Sequence, residues 1–255
     1  MKTPILTIII QARLGSRRFP GKSIEKIENQ PMIWHVINRL KQVKTPHQTV
    51  LATTNNDEDE ILLNIADEME IFSFAGSQND VLDRYYSCAE KFSADPIIRI
   101  TGDCPLIDPQ LIDEIIQFYQ KNNFDYISNT LKPTFPDGFD VEIFSFQTLK
   151  TIMEKSSLKS EREHVTAYLK THTNEFKIYN YTNKTDLSRY RWTIDQKEDL
   201  EFVKKIYSLA KPKIVFSTQE ILDIISGNPK LMEINKGINR DEGYLHSLQN
   251  DTKIK

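Results

Sequence analysis

A loop rich in glycine and positive charge follows the first apolar run of the chain. The run covers residues 5–10, and its apolar character predicts a buried strand. The loop reads QARLGSRRFPGK, and its cations are Arg13, Arg17, Arg18 and Lys22. Its glycines permit tight turns and close approach of the backbone to a ligand. Because α/β proteins hold phosphates between a strand and the next helix, we expect this loop to bind a nucleoside triphosphate.

The spacing of this loop argues against two common nucleotide-binding motifs. It lacks the Gly-x-x-x-x-Gly-Lys-Ser/Thr pattern of a P-loop and the Gly-x-Gly-x-x-Gly pattern of dinucleotide-binding proteins. A kinase, an ATPase and a dinucleotide dehydrogenase are therefore disfavoured. Taken by itself, the loop could also be a solvated cluster of surface charge.

Two aspartates are candidates for holding a metal ion, and each also has a plainer explanation. Asp103 lies in TGDCPL directly after an expected strand, where aspartate commonly forms a turn. Asp195 ends the segment RWTID, and it could equally cap the helix that follows. Carboxylates together with phosphate oxygens suit Mg²⁺. Neither carboxylate decides between these interpretations by itself. Asp108 is expected to cap the helix that begins at Pro109.

Five further blocks follow the first loop along the chain. They read GSQNDVLDRY at 76–85, RITGDCPLID at 99–108, DGFDVE at 137–142, REHVT at 162–166 and RWTID at 191–195. Together with the loop, they resemble the cytidylyltransferases that make CMP-activated sugars. That group includes the CMP-Kdo and CMP-sialic acid synthetases, and the blocks look most like its spore-coat polysaccharide branch. The resemblance covers residues 1 to about 207, and the segment after about residue 210 carries no motif.

The resemblance implies a Mg²⁺-dependent enzyme that joins CTP and a sugar acid of the nonulosonic type into a CMP-sugar and releases pyrophosphate. Its implied catalytic residues are Lys22, Arg13 and Asp103, and its implied metal ligands are Asp103 and Asp195. The implied nucleotide contacts are Ala12, Arg13, Gly15, Ser16, Arg17, Lys22, Ser77, Asp80 and Thr101. The implied acceptor contacts are Arg84, Asp137, Asp140, Glu142, Arg162 and His164.

Several of these residues also have structural interpretations. Ser77 and Asp80 have the spacing of a helix cap, Arg162 could form a surface ion pair, and His164 could pack in the core. The nucleotide is open as well, since GTP or another triphosphate with a sugar 1-phosphate would use the same chemistry. Two other classes remain, namely a glycosyltransferase and a non-catalytic protein that binds nucleotide-sugars.

The order of the expected elements predicts one α/β domain over residues 1–255. Up to about residue 130, strands alternate with amphipathic helices. This alternation predicts a mainly parallel, Rossmann-like sheet with helices on both faces, and the resemblance implies the nucleotide-diphospho-sugar transferase type. Residues 131–185 break the rhythm, and we interpret them as an inserted edge element for acceptor binding and dimerisation. Residues 191–195 are expected to form a strand, and residues from about 236 to 255 could form a flexible tail.

The composition argues against several classes of protein. The net charge is −3 at pH 7, so we expect no general binding to nucleic acid or to a membrane surface. No apolar run reaches the roughly eighteen residues that a membrane-spanning helix needs. Cys88 and Cys104 are the two cysteines, and they lack a metal-binding spacing and fit a reduced cytoplasm. The resemblance adds a homodimer to these expectations.

Overall fold

A computed structural model describes residues 3–254 of the chain and contains one seven-stranded sheet. The strands are β1 (Ile5–Gln11), β2 (Lys26–Ile27), β3 (Gln30–Pro31), β4 (Gln48–Thr54), β5 (Phe72–Gly76), β6 (Ala94–Thr101), β7 (Tyr126–Ser128), β8 (Glu142–Phe144) and β9 (Ile178–Asn180). The helices are α1 (Met32–Leu40), α2 (Glu60–Glu68), α3 (Val81–Phe92), α4 (Pro109–Lys121), α5 (Phe146–Lys155), α6 (Lys159–Glu163), α7 (Ala167–Thr171), α8 (Lys197–Ala210), α9 (Thr218–Gly227) and α10 (Glu242–Gln249). Within these residues, no helix combines the length and the apolar character needed to cross a membrane.

The sheet has the strand order β5-β4-β1-β6-β8-β7-β9. Strands β5, β4, β1 and β6 are parallel to one another. Strand β8 runs antiparallel to β6 and to β7, whereas β9 is parallel to β7. The prediction of a mainly parallel, mixed sheet is confirmed. Part of segment 131–185 enters the sheet as β8, and another part adds the edge strand β9.

Helices cover both faces of this sheet, which explains why the interior strand β1 is apolar along most of its length. Ile8 and Ile10 of β1 belong to the core formed with α1, α2, α4 and α8. Ile9, between them, belongs to the core formed with α3, α5 and α7. Successive side chains of a strand point to opposite faces. A strand that is buried on both faces therefore reads as a continuous apolar run.

The expectation of a strand at residues 191–195 is wrong. Within the described part of the chain, this segment forms one isolated bridge, between Arg191 and Asp137. Further along the segment the partner changes, since the Ile194 amide donates to the Asp103 carbonyl at 2.9 Å. The segment thus crosses between two loops and is not part of the sheet. This crossing places its last residue, Asp195, beside the loop that follows β6.

The C-terminal segment that was expected to be a flexible tail contains α10. Asp251 accepts hydrogen bonds from the amide and the hydroxyl of Ser160, and the amide distance is 3.0 Å. The Ile254 amide donates to the Ser157 carbonyl at 2.8 Å. No residue of α10 itself is buried. Polar contacts, more than apolar packing, therefore place this helix against the rest of the domain.

Candidate active site

Two adjoining cavities open at the carboxyl ends of β1 and β6. The larger has a volume of about 530 Å³ and the smaller about 210 Å³. Arg18, Asp103, His164 and Asp195 line both of them. The two cavities are therefore parts of one cleft. We name the larger cavity the large lobe and the smaller cavity the small lobe. This is the edge of a parallel sheet at which α/β proteins bind ligands.

The first loop and the loop after β6 touch each other at the floor of the cleft. The Gly102 amide donates to the Gln11 carbonyl at 2.8 Å. A β-carbon on Gly102 would lie 2.8 Å from Cβ of Ala12, so only glycine permits this approach. The close approach of the two loops thus depends on one residue without a side chain.

A buried carboxylate fixes the first loop from the other side. Asp59 is 1% exposed, accepts from the Leu14 amide at 2.7 Å and also accepts from the Thr54 hydroxyl. In the sequence, Asp59 belongs to an acidic run at the start of a helix, where acidic side chains commonly interact with the helix dipole. Its role as an anchor of the loop was missed, because a partner 45 residues away leaves no local pattern in the sequence.

Lys22 lies at the centre of the site and is 8% exposed. Its Nζ donates to Oδ2 of Asp103 at 2.7 Å and to Oδ1 of Asp195 at 2.8 Å. A third hydrogen bond goes to the Ile194 carbonyl at 2.8 Å. Burial alone would lower the pKa of Lys22, but the attraction of the two carboxylates outweighs it and raises the pKa. The ammonium therefore stays charged at neutral pH.

Asp195 carries a second cation contact. Nη2 of Arg18 lies 2.8 Å from its Oδ1. Burial would raise the pKa of Asp195, but the nearby Lys22 and Arg18 outweigh this effect and lower the pKa to about 2. Gln196, and not Asp195, is the N-cap residue of α8. The side chain of Asp195 is thus directed to the cleft and not used as a helix cap.

Asp103 and Asp195 are suited to a divalent cation. Both bind the same Nζ of Lys22, so their oxygens converge on one point. Carboxylate and phosphate oxygens are the ligands that Mg²⁺ prefers. Within residues 3–254, no group of three or more His, Cys, Asp or Glu side chains forms a ready metal site. The donor set therefore fits Mg²⁺ when Lys22 moves aside and when phosphate and water supply the other ligands.

The backbone around Asp195 is held by a residue that the sequence interpretation missed. Asp199 is fully buried, and its Oδ2 accepts from the amides of Asp195 and Gln196, both at 3.0 Å. Its other oxygen accepts from Nε of Arg191 at 2.9 Å. The Asp199 carboxylate thus links the candidate metal ligand to an arginine of the same loop. Asp199 lies in the first turn of α8, where acidic residues are common because they interact favourably with the helix dipole. Its sequence position therefore does not reveal its contacts with the loop.

Each carboxylate expected on the acceptor side lines the small lobe and has its own arginine. The pairs are Asp137 with Arg191 (2.6 Å), Asp140 with Arg240 (2.7 Å) and Glu142 with Arg99 (2.6 Å). Burial raises the pKa of Asp137 to about 7, and burial also raises the pKa of Asp140. For Glu142, the attraction of Arg99 outweighs burial and lowers the pKa.

Lys170 also lines the small lobe and has no ion pair within the described residues.

His164 lies where the two lobes meet. Its Nε2 is 3.0 Å from the Ser247 hydroxyl. Burial, helped by the positive charges of Arg99 and Lys170, lowers the pKa of His164 to about 4. The imidazole is therefore neutral at pH 7. The alternative of a core histidine does not apply, because the side chain lines both lobes.

Most of the expected nucleotide contacts lie along the large lobe. These are Ala12, Arg13, Ser16, Arg17, Lys22 and Thr101. Ser77 and Asp80 lie at the start of α3, beside Val81, which lines this lobe. Asp80, and not Ser77, is the N-cap residue of α3, and it accepts from the Asp83 amide at 2.9 Å. The Ser77 hydroxyl accepts from the Asp80 amide at 3.1 Å. Gly15 does not line the lobe.

Two expected acceptor contacts lie away from both lobes. Arg84 is fully buried, and its Nη1 donates to the Ser77 carbonyl at 3.0 Å. Nε of Arg162 donates to Oδ2 of Asp80 at 2.8 Å. Both arginines thus fix the start of α3, and neither lines the cleft. We therefore leave Arg84 and Arg162 out of the acceptor site, because neither lines either lobe. Nε and Nη2 of Arg84 are buried and have no hydrogen-bond partner within the described residues.

Comparisons with known proteins show the family of this chain. The cytidylyltransferase family model matches residues 7–224. The spore coat polysaccharide biosynthesis protein SpsF of Bacillus subtilis is 32% identical over 88% of this chain and 95% of its own length. A cytidylyltransferase structure from Leptospira borgpetersenii serovar Hardjo-bovis is 34% identical and covers 93% of this chain and all of the other, with a TM-score of 0.88. The structure of CMP:2-keto-3-deoxy-manno-octonic acid synthetase with CTP shares the fold, with 18% identity, a TM-score of 0.61 and coverage of 80% and 99% of the two chains. The chain belongs to the cytidylyltransferase family, a family of nucleotidyltransferases.

Proposed function

We propose that this protein is a Mg²⁺-dependent cytidylyltransferase that transfers CMP from CTP to a sugar acid of the nonulosonic type, for a surface polysaccharide or glycan. The observation that carries the proposal is the pairing of one lysine, Lys22, with two carboxylates, Asp103 and Asp195, at the junction of the lobes. Nucleotidyl transfer needs a metal at the α-phosphate and cations along the triphosphate. This junction combines carboxylate ligands for a metal with cations for the phosphates in one cleft.

The large lobe is suited to the triphosphate. Arg13 and Arg17 line it, and neither forms an ion pair within residues 3–254. Their charges are therefore available to a ligand, whereas Arg18 is paired with Asp195. Backbone amides of the loop add further donors, as in other anion-binding loops. Two arginines and Lys22 would neutralise the triphosphate and the pyrophosphate that leaves.

The small lobe is suited to a hydroxyl-rich acid. Its carboxylates, of which Asp137 and Glu142 are buried and Asp140 is half-buried, could accept hydrogen bonds from sugar hydroxyls. The ammonium of Lys170, which has no ion pair within residues 3–254, could bind a carboxylate. The lobes share Asp103 and Asp195. An acceptor hydroxyl in the small lobe would thus meet the α-phosphate of a nucleotide in the large lobe.

The reaction forms a bond between the acceptor oxygen and the α-phosphorus and breaks the bond from that phosphorus to the bridging oxygen of pyrophosphate. The proton of the acceptor hydroxyl is released to water. Mg²⁺, when bound at Asp103 and Asp195, would polarise the phosphate oxygens. Lys22 would move onto the phosphates and stabilise the charge that develops there. The contribution of the chain is mostly positioning and electrostatic stabilisation.

We also propose a cytoplasmic homodimer. Cys88 and Cys104 are buried free thiols, as expected of a protein in a reduced compartment. The dimer contact would involve segment 131–185. Light scattering coupled to size-exclusion chromatography tests the assembly directly, because a mass near twice 29.7 kDa supports it and a monomer mass contradicts it.

A nucleotide panel tests the proposed function. CTP, UTP, GTP and ATP are each added with Mg²⁺, and the unfolding midpoint is measured. At a hundred times its Kd a ligand contributes about 2.7 kcal/mol, so CTP alone should raise the midpoint by roughly 5 to 10 °C. Pyrophosphate release is then measured with sugar acids. A shift with GTP instead would replace CTP in the proposal, and no shift with any triphosphate would overturn it.

The matched variant is Asp103→Asn. It keeps the size of the side chain and removes one candidate ligand of the metal. Its unfolding midpoint without ligand should stay close to that of the wild type, because Asp103 is partly exposed, while pyrophosphate release should collapse. Unchanged turnover would remove Asp103 from the proposed metal site.

A further inference from the structure

Helix α10 lies beyond residue 224, where the family match ends, yet it forms part of the cleft wall. Glu242 and Gly243 line both lobes. Tyr244 lines only the small lobe, whereas His246 and Ser247 line only the large lobe. The helix therefore runs along the boundary between the lobes. It adds to the site a surface that the matched part of the chain does not supply.

Hydrogen bonds to α6 and to the residue after it hold α10 in this position. The Ser247 hydroxyl donates to Oε2 of Glu163 at 3.1 Å. The hydroxyl oxygen of Ser247 also lies 3.0 Å from Nε2 of His164. A neutral imidazole with its proton on Nε2 can donate to Ser247, which then donates to Glu163. This chain of donors fixes one turn of α10 against a residue that lines both lobes.

The same arrangement places an aromatic ring in the small lobe. The Tyr244 ring lies 5.0 Å from the His164 ring, centroid to centroid, at an interplanar angle of 80°. Nζ of Lys170 lies 5.7 Å from the centroid of Tyr244. The small lobe thus combines an aromatic surface with an ammonium that has no ion pair within the described residues.

We propose that Tyr244 determines which sugar acid the enzyme accepts. Its ring would pack against the carbon chain of the acid, while Lys170 holds the carboxylate. An acid with a different chain length would then present different groups to the ring. This inference rests on the proposed function, because it takes the acceptor to be a sugar acid in the small lobe.

The experiment compares Tyr244→Ala, Tyr244→Phe and the wild type. The probes are 3-deoxy-manno-octulosonate and N-acetylneuraminate, which have eight- and nine-carbon chains, each with CTP and Mg²⁺. In Tyr244→Ala the KM of the better acid should rise by about tenfold, as expected for loss of an aromatic contact of about 1.4 kcal/mol. The ratio of kcat/KM between the two acids should fall toward one. The KM of CTP should stay unchanged in Tyr244→Ala. Tyr244→Phe, which keeps the ring, should retain the wild-type ratio of kcat/KM between the two acids.

The matched control is Leu245→Ala. Leu245 is the next residue on α10, is 52% exposed and lines neither lobe, so its removal should leave all kinetic constants unchanged. Because α10 buries none of its residues, both alanine variants should keep the unfolding midpoint of the wild type. The kinetic differences then report on the cleft and not on folding.

Three results would overturn the inference. The first is a ratio between the acids that Tyr244→Ala leaves unchanged, and the second is an equal rise in the KM of CTP. The third is a wild type that is stabilised by CTP but turns over neither acid, since Tyr244 would then have no such acceptor to select. A wild type that CTP does not stabilise has a different meaning, because it contradicts the proposed function itself.

Discussion

Lys22 and Asp103 form an ion pair across the cleft, with Nζ 2.7 Å from Oδ2. The same Nζ lies 2.8 Å from Oδ1 of Asp195, so one ammonium pairs with both carboxylates that we propose as metal ligands. An ammonium and a divalent cation cannot occupy the same position. Metal binding must therefore displace Lys22, and a triphosphate offers the displaced ammonium a new partner. Metal and nucleotide should thus increase each other's affinity.

The variant Lys22→Met tests this competition. Without nucleotide, it should bind Mn²⁺ about tenfold more tightly than the wild type, because the binding-competent state no longer requires displacement of a lysine. The same variant should bind CTP more weakly, since it has lost a phosphate contact. Free Mn²⁺ is measured by electron paramagnetic resonance during titration. Lys26→Met, at an exposed position, should leave both affinities unchanged, and equal Mn²⁺ affinity in Lys22→Met and the wild type would refute the competition.

Gly102→Ala should separate the two loops that meet at the floor of the cleft. The new methyl group would lie 2.8 Å from Cβ of Ala12 and 2.9 Å from the Gln11 carbonyl. We expect the free energy of unfolding to fall by roughly 1 to 3 kcal/mol, as for other overpacked sites. The stabilisation by CTP should fall as well, because the first loop is displaced. Urea unfolding with and without CTP measures both effects.

Gly227→Ala is the matched control for that variant. Gly227 ends α9, and a β-carbon there would meet nothing within 4 Å. Its replacement should leave stability unchanged or raise it by about 0.4 to 1 kcal/mol. If both alanine variants behave alike, the close contact at Gly102 does not constrain the loops.

Asp199→Asn should destabilise the fold and disturb the loop that carries Asp195. The change removes the charge of a fully buried partner of Arg191 and keeps the side-chain size. Breaking a buried pair by removing one charge costs about 3 kcal/mol or more. Urea unfolding of this variant is compared with that of Glu198→Gln, which lies next to it and is exposed. Equal stability of the two variants would show that Asp199 is not the anchor that its contacts suggest.

The apolar pattern located the regular elements well where burial and backbone pairing coincide. Strand β1 lies where the apolar run of residues 5–10 predicted it, because the strand is buried on both faces over most of its length. Residues 191–195 have an alternating pattern too, but their partners Asp137 and Asp103 lie in distant loops. Alternation indicates which side chains are buried, but it does not indicate whether the backbone pairs with a neighbouring strand. The prediction of a strand at residues 191–195 was wrong for this reason.

The site was predictable where a residue acts through its own short motif. Lys22, Asp103 and Asp195 come from three separate blocks, and the structure brings them within hydrogen-bond distance. Arg84 and Arg162 come from equally clear blocks, yet internal partners hold both. The partner of an arginine is set by the tertiary fold, so sequence could not distinguish a ligand contact from an internal one. The contribution of α10 to the cleft had no motif at all.

The neutral state of buried His164 should appear in the pH dependence of stability. Burial lowers its pKa from the ordinary 6.5 to about 4. Between about pH 6.5 and 4, the unfolded chain therefore binds a proton that the folded chain does not, so stability must fall as the pH falls. After allowance for its partial exposure, we expect a loss of roughly 2 to 3 kcal/mol from this residue.

The variant His164→Gln isolates this contribution, because glutamine does not titrate and can still donate to Ser247. The free energy of unfolding is measured in urea at pH 7 and pH 4.5 for the wild type and the variant. The wild type should lose more stability than His164→Gln over this range. His246→Gln, at an exposed position of α10, should follow the wild type. If His164→Gln loses as much stability as the wild type, the histidine takes up its proton as readily in the folded protein as in the unfolded chain.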